Sequence, residues 1–294
     1  MKIWHILLLV NIDKDKSLSF TKEVVDFLKE NNCIIYVEKK MQEKISDVLM
    51  INKDVDIDFC LLLGGDGSLL NKLHEYVEKD YAYFGINLGR VGCLLEATKK
   101  TYKEKLKAIF NFQYMVEERN TIFYQTTSSK GELVEGISFN EVAIERGKLF
   151  KMLLINMYVN GNNKTSFYAD GVIVSTSTGS SAFNLSSGGP LLLPTAKNYV
   201  ITPLCPQLRD ITSLVVNDTD VITIDIKEDN PRQSYETTSP IVVIDGRTMI
   251  EINESSKLII KKSPKKLKIL KVDGQGSLFE PTFKVAMSNR NLLK

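Results

Sequence analysis

A glycine-rich segment in the first third of the chain, Gly64-Gly65-Asp66-Gly67-Ser68, is the first place where the sequence indicates chemistry. It lies between an apolar run and a helical pattern, so we expect a turn from a strand into a helix. Glycines allow such a turn to approach a ligand closely, and free N–H groups at the helix start favour an anion such as phosphate. Ser68 suits the N-cap. Asp66 would repel phosphate, so we interpret it as a group that accepts a hydroxyl proton or holds Mg²⁺ through its hydration shell.

This turn differs from two common phosphate-binding motifs. No Gly-Lys-Ser/Thr follows it, which excludes a P-loop, and Leu70 stands where a dinucleotide fingerprint has its third glycine. A second glycine turn, 85–92, follows the next predicted strand. Because open α/β sheets bind ligands at the carboxyl ends of their strands, we expect the two turns to lie together. By spacing alone, both could equally be structural loops.

Two further polar segments lie downstream. Residues 170–190 are rich in hydroxyl groups, which bind sugar or phosphate oxygens without adding charge. Asn140 and Glu141 interrupt an apolar strand-like run, and an edge strand with solvated polar groups is the favoured interpretation when the pair is taken alone. No G-x-S-x-G elbow is present, and neither His5 nor His74 is placed to serve a nucleophilic serine. These features argue against a serine hydrolase.

Composition restricts the class of protein. The net charge of the 294 residues is +2, which supplies no basic field for nucleic acid. The four cysteines contain no C-x-x-C pair, which argues against a structural zinc site or a disulfide framework and indicates a reducing compartment. The apolar stretch 1–10 is too short for a membrane span and lacks a cleavage site, so it predicts a first strand. We expect a cytoplasmic protein that binds neither nucleic acid nor a membrane.

The elements that must position these residues change in character near residue 115. Before it, strand and helix patterns alternate: strands are predicted at 3–10, 34–37, 59–63 and 81–86, and helices at 18–30, 69–77 and 101–110. This alternation is typical of a parallel sheet covered by helices. After it, β-branched runs follow one another between turn residues, which predicts a β-rich domain.

Taken in order, the motifs resemble those of the NAD kinase family, also called the ATP-NAD kinases. Gly64 to Gly67 is similar to the family's GGDG motif, and Asn140-Glu141 to its NE/D motif. Residues 87–92 resemble its second glycine loop, 170–190 its DG…TPTGSTAY…GGP stretch, and 202–206 its TPICP segment. Five motifs in register make the resemblance specific.

The resemblance implies roles for individual residues. Asp66 would be the general base that takes the proton from the 2′-hydroxyl of the adenosine ribose of NAD. The NE pair would contact the adenosine part, and Asp170 would lie at the nicotinamide end. The hydroxyl-rich stretch would shape the pocket for the second nucleotide portion, with Phe183 near a base. The implied substrate-binding residues are Gly65, Gly67, Ser68, Asn140, Glu141, Asp170, Thr176, Thr178, Ser181, Ala182 and Phe183.

The resemblance also implies a fold, cofactors and partners. The fold would be an α/β N-terminal domain with a parallel sheet (1–113) plus an all-β C-terminal domain (114–274), with the active site in the inter-domain cleft. A tail, 275–294, would return to the first domain. The enzyme would transfer the γ-phosphoryl group of ATP to NAD to give NADP, with a divalent metal such as Mg²⁺ that no particular residue is assigned to bind. A homodimer or homotetramer would be the assembly.

Two other functions remain open on sequence alone. A lipid kinase of the diacylglycerol or sphingosine type shares the GGDG turn, although the stretch at 170–190 favours an NAD kinase. The other is a nucleotide-binding protein that has lost turnover, against which the retained Asp66 argues.

Overall fold

The computed structural model describes residues 2–52, 55–89, 92–147, 152–227 and 239–272. The chain forms two compact units. The first runs up to Glu118 and includes the stretch from Leu267, and the second comprises Arg119–Lys266. The domain boundaries that the sequence predicts, 113/114 and 274/275, stay predictions. The tail 275–294 lies outside the described residues.

The first unit is built on a parallel sheet with helices. Its strands are β1 (Trp4–Val10), β2 (Cys33–Val37), β3 (Leu49–Met50), β4 (Phe59–Gly64), β5 (Ala82–Asn87) and β6 (Ala97–Thr98). Its helices are α1 (Ser19–Glu30), α2 (Lys39–Gln42), α3 (Asp66–Glu75) and α4 (Tyr102–Phe110), with a 3₁₀ turn at Ile12–Lys14. The sheet order is β3-β2-β1-β4-β5, and each of these neighbouring pairs is parallel.

Sequence patterns explain these elements. All six residues of β4 are buried, as expected for a continuous apolar run that is covered on both faces. Helix α1 buries Phe20, Val24 and Leu28 at helical spacing. The alternation of strand and helix predicted for the first third is therefore confirmed. Helix α3 ends at Glu75, two residues before the predicted end.

The strand order places the predicted chemistry at a particular point. The chain leaves β1 toward β2 on one side, whereas it leaves β4 toward β5 on the other side. In open α/β sheets, ligands bind where the order reverses in this way, outside the carboxyl ends of the strands. The loops that begin at Asn11 and Gly64 meet at this point, since the Asn11 amide donates to the Leu63 carbonyl over 2.9 Å.

The second unit consists mainly of antiparallel strands. They are β7 (Met115–Thr127), β8 (Leu133–Ser138), β9 (Glu141–Glu145), β10 (Leu153–Val159), β11 (Asn163–Ala169), β12 (Gly171–Thr176), β13 (Asn198–Leu204), β14 (Leu214–Asn217), β15 (Ile222–Lys227), β16 (Ile241–Ile244), β17 (Thr248–Glu251) and β18 (Lys257–Lys271), of which β7 and β18 also extend into the first unit. A short helix, α5 (Phe183–Ser186), follows a 3₁₀ turn at Gly179–Ser181. The β-rich second half is confirmed.

Two strand arrangements share the core of this unit. One sheet has the order β14-β13-β12-β9-β16-β17, and β11-β10-β15 continues to the first residues of β18 in the other. Inward residues alternate along the strands, so that Val172 and Val174 of β12 pack with Val142 and Ile144 of β9 in one apolar cluster. The strand pattern predicted over 136–144 is broken at Phe139 and Asn140, between β8 and β9. No helix of the described residues is long and apolar enough to cross a membrane.

Candidate active site

The Asp66 turn joins β4 to α3 as the sequence predicts. Gly65 is extended, with φ −148° and ψ 178°, and is the N-cap of α3, so the N-cap expected at Ser68 is wrong. Ser68 lies in the first turn, where its hydroxyl accepts the Gly65 N–H at 3.4 Å. The serine thus supports the start of the helix from inside it. Asp66 is the first helical residue, where the helix dipole favours a negative charge.

The Asp66 carboxylate is held by the second glycine turn. Its Oδ2 accepts a hydrogen bond of 2.7 Å from the Cys93 amide, and its Oδ1 accepts a longer one of 3.4 Å from Leu94. A Cβ atom on Gly92 would overlap this carboxylate, so a side chain at that position would displace the acid. The Leu88 amide donates to the Gly64 carbonyl over 2.7 Å. The prediction that the two glycine turns lie together is therefore confirmed.

Glu96 anchors the same loop a few residues further on. Its buried carboxylate pairs with Lys271 at 2.6 Å and with Lys105 at 3.3 Å. The Lys105 ammonium also donates to the Glu96 carbonyl at 2.9 Å. Two lysines therefore hold the loop that faces Asp66: Lys105, which is close to Glu96 in sequence, and Lys271, which is distant.

Sequence reasoning missed Asn11 and Lys14, which follow β1. The Asn11 side-chain amide donates to the Ser68 hydroxyl at 2.7 Å, and its oxygen accepts the Asp13 N–H at 3.0 Å. One side chain thereby caps the 3₁₀ turn and ties it to the Asp66 turn. The only available signal was an asparagine directly after a predicted strand.

A cavity of about 740 Å³ opens beside this turn at the carboxyl ends of β1 and β2. Its polar lining combines acids and lysines, and Lys72 is ion-paired there with Glu38 and, at 2.7 Å, with Glu75. The lining residues are Val10, Asn11, Ile12, Asp13, Glu38, Lys39, Lys40, Met41, Leu62, Ser68, Asn71, Lys72 and Glu75. The cavity shares Asn11 and Ser68 with the Asp66 turn.

In the second unit, Asn140 and Glu141 lie at the start of β9. This strand is flanked by β12 and β16, and Glu141 is 5% exposed, so the interpretation as a solvated edge strand is wrong. Asp245 holds this point: its carboxylate accepts the amide N–H groups of Phe139, Asn140 and Glu141 at 2.9, 2.7 and 3.0 Å. It also accepts the Ser138 hydroxyl at 2.8 Å. In the sequence, Asp245 stands before Gly246 as in a turn, and no neighbouring residue indicates this contact.

Glu141 has an unusual electrostatic environment. Burial, and then the nearby Asp245 carboxylate, raise the pKa of Glu141 from 4.5 to about 8. Among the described residues, one carboxyl oxygen of Glu141, Oε2, is buried and has no hydrogen-bond partner. A buried polar atom without a partner costs free energy, so a hydrogen bond to this oxygen would be stabilising.

The hydroxyl-rich stretch packs directly on the Asn-Glu pair. The Asn140 carbonyl accepts the Thr176 N–H at 2.8 Å, and Thr176 Oγ1 donates to the Phe139 carbonyl at 2.8 Å. Thr178 is 7% exposed, and its hydroxyl has no hydrogen-bond partner within the part of the chain that the structure describes. The structure thus brings together Asn140, Glu141, Thr176 and Thr178, and two of these four carry unpartnered buried oxygens.

The remaining predicted residues of the stretch are more open. Ser181 donates to the Thr178 carbonyl at 3.3 Å, Ala182 is half-buried, and Phe183 is 38% exposed at the start of α5. Asn184, which the sequence did not single out, is buried and accepts the Thr202 hydroxyl at 2.7 Å. This bond connects the hydroxyl-rich stretch to β13, so part of the motif stabilises the fold.

Asp170 lies away from the Asn-Glu pair. It precedes β12, whose Gly171 pairs with Glu145 and whose Ser175 pairs with Glu141. At the rise of a strand, about 14 Å separates these two pairs. Asp170 is partly exposed and pairs with Arg146 at 3.3 Å. The predicted residues of this unit therefore occupy the two ends of one strand.

Among the described residues, no group of three His, Cys, Asp or Glu side chains could hold a metal ion. Mg²⁺ binds proteins through one or two carboxylates and completes its shell with substrate phosphates and water. Asp66 could supply one carboxylate to such a shell.

Family comparisons identify both units. A family model described as the ATP-NAD kinase N-terminal domain matches residues 6–114, and one described as the ATP-NAD kinase C-terminal domain matches residues 139–272. Together they cover more than half of the chain. Both descriptions name ATP-NAD kinases, and the lipid kinase alternative is therefore set aside.

Relatives and solved structures agree. An NAD kinase from Lachnoclostridium phytofermentans is 33% identical over 273 residues, which cover 91% of this chain and 93% of that protein. An NAD kinase from Thermoanaerobacter sp. is 33% identical over 89% of this chain and 92% of its own length. The crystal structure of yeast NADH kinase with NADH has a TM-score of 0.84 at 17% identity and covers 99% of this chain and 89% of that one.

An NAD kinase from Archaeoglobus fulgidus, solved with ATP, has a TM-score of 0.71 at 23% identity and covers 96% of this chain and 98% of that one. At these identities, the two structures establish a shared fold. The models and the relatives establish more: the chain belongs to the ATP-NAD kinase family, whose enzymes phosphorylate NAD at the expense of ATP.

Proposed function

We propose that Asp66 is the general base of this NAD kinase. The 2′-hydroxyl of the adenosine ribose attacks the γ-phosphorus of ATP while Asp66 accepts its proton, the bond to the β-phosphate oxygen breaks, and ADP leaves. The observation that carries the proposal is the placement of this carboxylate on a bare-backbone turn, where amide N–H groups of Cys93 and Leu94 fix its direction. Phosphoryl transfer depends chiefly on such positioning.

We further propose that Mg²⁺ enters as the ATP complex, where it neutralises charge on the phosphates. The ions would be carried by the substrate and not by a resident site, in keeping with the absence of a ligand cluster among the described residues. Gly65, Gly67 and Ser68 would contact the phosphates through the turn that begins α3. Gly67 is exposed and Ser68 is partly exposed, which leaves room for such a contact.

The second unit would bind NAD. Glu141 Oε2 and Thr178 Oγ1 are buried and have no partner in the described ranges, so hydrogen bonds with the adenosine part would satisfy atoms that are costly when unpaired. Because the pKa of Glu141 is about 8, its carboxyl is mostly protonated at neutral pH and can donate as well as accept. Asp170, at the other end of β12, would meet the nicotinamide end of an extended dinucleotide. Ser181, Ala182 and Phe183 would border the pocket.

Location and assembly are also proposals. None of the four cysteines, all of which lie in described ranges, forms a disulfide, which suits a cytoplasmic protein. Strand β14, at one end of its sheet, exposes Leu214 and Val215 at 48% and 50%, which suits an interface in a homodimer or homotetramer. Sedimentation equilibrium of the full chain measures the assembly, and a monomer at micromolar concentration would contradict it.

The base is tested with Asp66→Asn. Removing a general base typically costs about 10²- to 10⁴-fold, so we expect kcat to fall by that factor while the KM for NAD changes by less than about threefold. NADP is measured with a dehydrogenase specific for it, in the presence of NAD, ATP and Mg²⁺. Asp26→Asn, at an exposed carboxylate of α1, is the matched control. A kcat for Asp66→Asn near that of the parent enzyme would remove Asp66 from this role.

A further inference from the structure

The lysine that follows β1 lies beside both glycine turns. Lys14 ends the 3₁₀ turn Ile12–Lys14, which Asn11 caps by accepting the Asp13 N–H and attaches to the Asp66 turn through Ser68. The backbone of this turn closes on itself through the Lys14 N–H, which donates to the Asn11 carbonyl at 3.1 Å. These bonds therefore fix the backbone of Lys14 next to the Asp66 turn.

The Lys14 ammonium occupies the space that two glycines leave. A Cβ atom on Gly89 would stand 2.7 Å from Lys14 Nζ, and a Cβ atom on Gly65 would stand closer still. Gly65 belongs to the first glycine turn and Gly89 to the second, so the positive charge bridges the two turns that also enclose Asp66. A side chain at either glycine would push the ammonium away.

Within the described part of the protein, no carboxylate neutralises the Lys14 ammonium. In those ranges, Lys14 Nζ has no hydrogen bond and no carboxylate within ion-pair distance, and the side chain is exposed. Lys72, which lines the neighbouring cavity, is by contrast occupied by Glu38 and Glu75. Lys14 therefore approaches a ligand with its full charge and three free donors.

We propose that Lys14 binds the terminal phosphates of the ATP donor and holds the γ-phosphoryl group next to Asp66. Lysine is a compact point charge that suits phosphate oxygens, and the start of α3 offers N–H groups to the same anion. The inference rests on the proposed function, because it requires that phosphoryl transfer occur at the Asp66 turn. It adds a contact that none of the motif residues supplies.

The test compares Lys14→Met, Lys14→Arg and Lys16→Met. A hydrogen bond to a charged group contributes about 1.5–3 kcal/mol of binding free energy. We therefore expect Lys14→Met to lower kcat/KM for ATP by about 10- to 100-fold. The KM for NAD and the unfolding free energy should stay near the parent values, because the side chain is exposed. Lys14→Arg should recover most of the loss. Lys16→Met, an exposed lysine of the same segment, is the matched charge control and should resemble the parent enzyme.

Calorimetric titration with MgATP in the absence of NAD separates this inference from the choice of base. We expect Lys14→Met to weaken MgATP binding about tenfold both in the parent chain and in the Asp66→Asn background, where no turnover is needed. Unchanged MgATP affinity and unchanged kcat/KM for ATP would overturn the role of Lys14, whatever Asp66→Asn does. An equal loss in Lys16→Met would also overturn it, since the effect would then come from overall charge.

Discussion

The candidate site residues of the two units differ in how far their charged groups are exposed. The Asp66 turn is partly exposed, and Lys14 beside it is exposed. The Asp66 carboxylate and the Lys14 ammonium both lie against the backbone of glycine residues. Around Glu141, in contrast, the polar groups are buried, one acid is largely protonated, and Asp245 is surrounded by four donors. The first site keeps its charges near the surface, whereas the second buries the Asp245 carboxylate among hydrogen-bond donors and holds Glu141 mostly protonated.

The proposed roles account for this difference. A phosphoryl donor arrives with several negative charges and leaves as a charged product, so an open site with an exposed cation would bind and release it at modest cost. Recognition of a nucleoside depends on neutral hydrogen bonds, which gain strength and direction when water is excluded. This contrast requires that Asp245 organise the buried network and that Glu141 hold its proton at neutral pH.

The largest effect is expected from Asp245→Asn. The substitution keeps the shape and tolerates the positive φ of 50° at this position, but it replaces an oxygen that accepts hydrogen bonds by an amide that donates. We expect the unfolding free energy to drop by about 2–4 kcal/mol, measured by urea denaturation. Asp210→Asn, at an exposed aspartate, is the control. A loss no greater than that of the control would mean that Asp245 does not organise β9.

An intermediate effect is expected from the pH dependence of Glu141. Its folded-state pKa, about 8, lies above the value of 4.5 that it has when solvated, so the folded protein binds this proton more tightly than the unfolded chain does. The contribution of Glu141 to stability is therefore complete below about pH 4.5 and is lost as the pH rises to about 8. The slope is at most about 1.4 kcal/mol per pH unit.

Urea denaturation of Glu141→Gln at several pH values between 5 and 9 measures this term. Glutamine has no proton to lose, so the parent protein should lose stability relative to the variant as the pH rises through this interval. Parallel curves for the two proteins would show that Glu141 titrates as a solvated acid, and the contrast between the units would be broken.

The smallest effect is expected from Thr178→Val. Valine has the same shape, and the Thr178 hydroxyl has no partner to lose, so stability should stay constant or rise by up to about 1 kcal/mol. If NAD uses this hydroxyl, KM for NAD should rise by about fivefold. Thr176→Val is the matched comparison, because the Thr176 hydroxyl is bonded to the Phe139 carbonyl and should be costly to remove. Equal stability losses in both variants would contradict the assignment of Thr178 to a ligand.

Local patterns were sufficient for most of the fold. Continuous apolar runs predicted β1 and β4, helical spacing predicted α1 and α3, and the change of texture near residue 115 marked the β-rich half. The Asp66 turn was found because glycine, a carboxylate and a strand-to-helix transition are adjacent in sequence. These features depend on neighbours within a few residues, which is the range over which a sequence pattern carries information.

The missed features all depend on pairs that are distant in sequence. Asp245 meets Asn140 across 105 residues, and Asn11 meets Ser68 across 57. Glu141 looked like a wet edge residue because nothing near it reveals that β12 and β16 flank its strand. Nor did the sequence show that Lys14 would lie over Gly89, since that requires knowing how the loops after β1 and β5 approach each other.

Two hydrogen bonds to the Asp66 carboxylate come from the peptide groups of residues 93 and 94. Nearly any amino acid at these two positions would supply the same donors, and only proline would delete one. Such a contact leaves no trace in the letters of a chain. A search for conserved side chains would pass over the peptide groups that orient the acid, and a substitution at the partly exposed position 93 would keep its bond to Asp66.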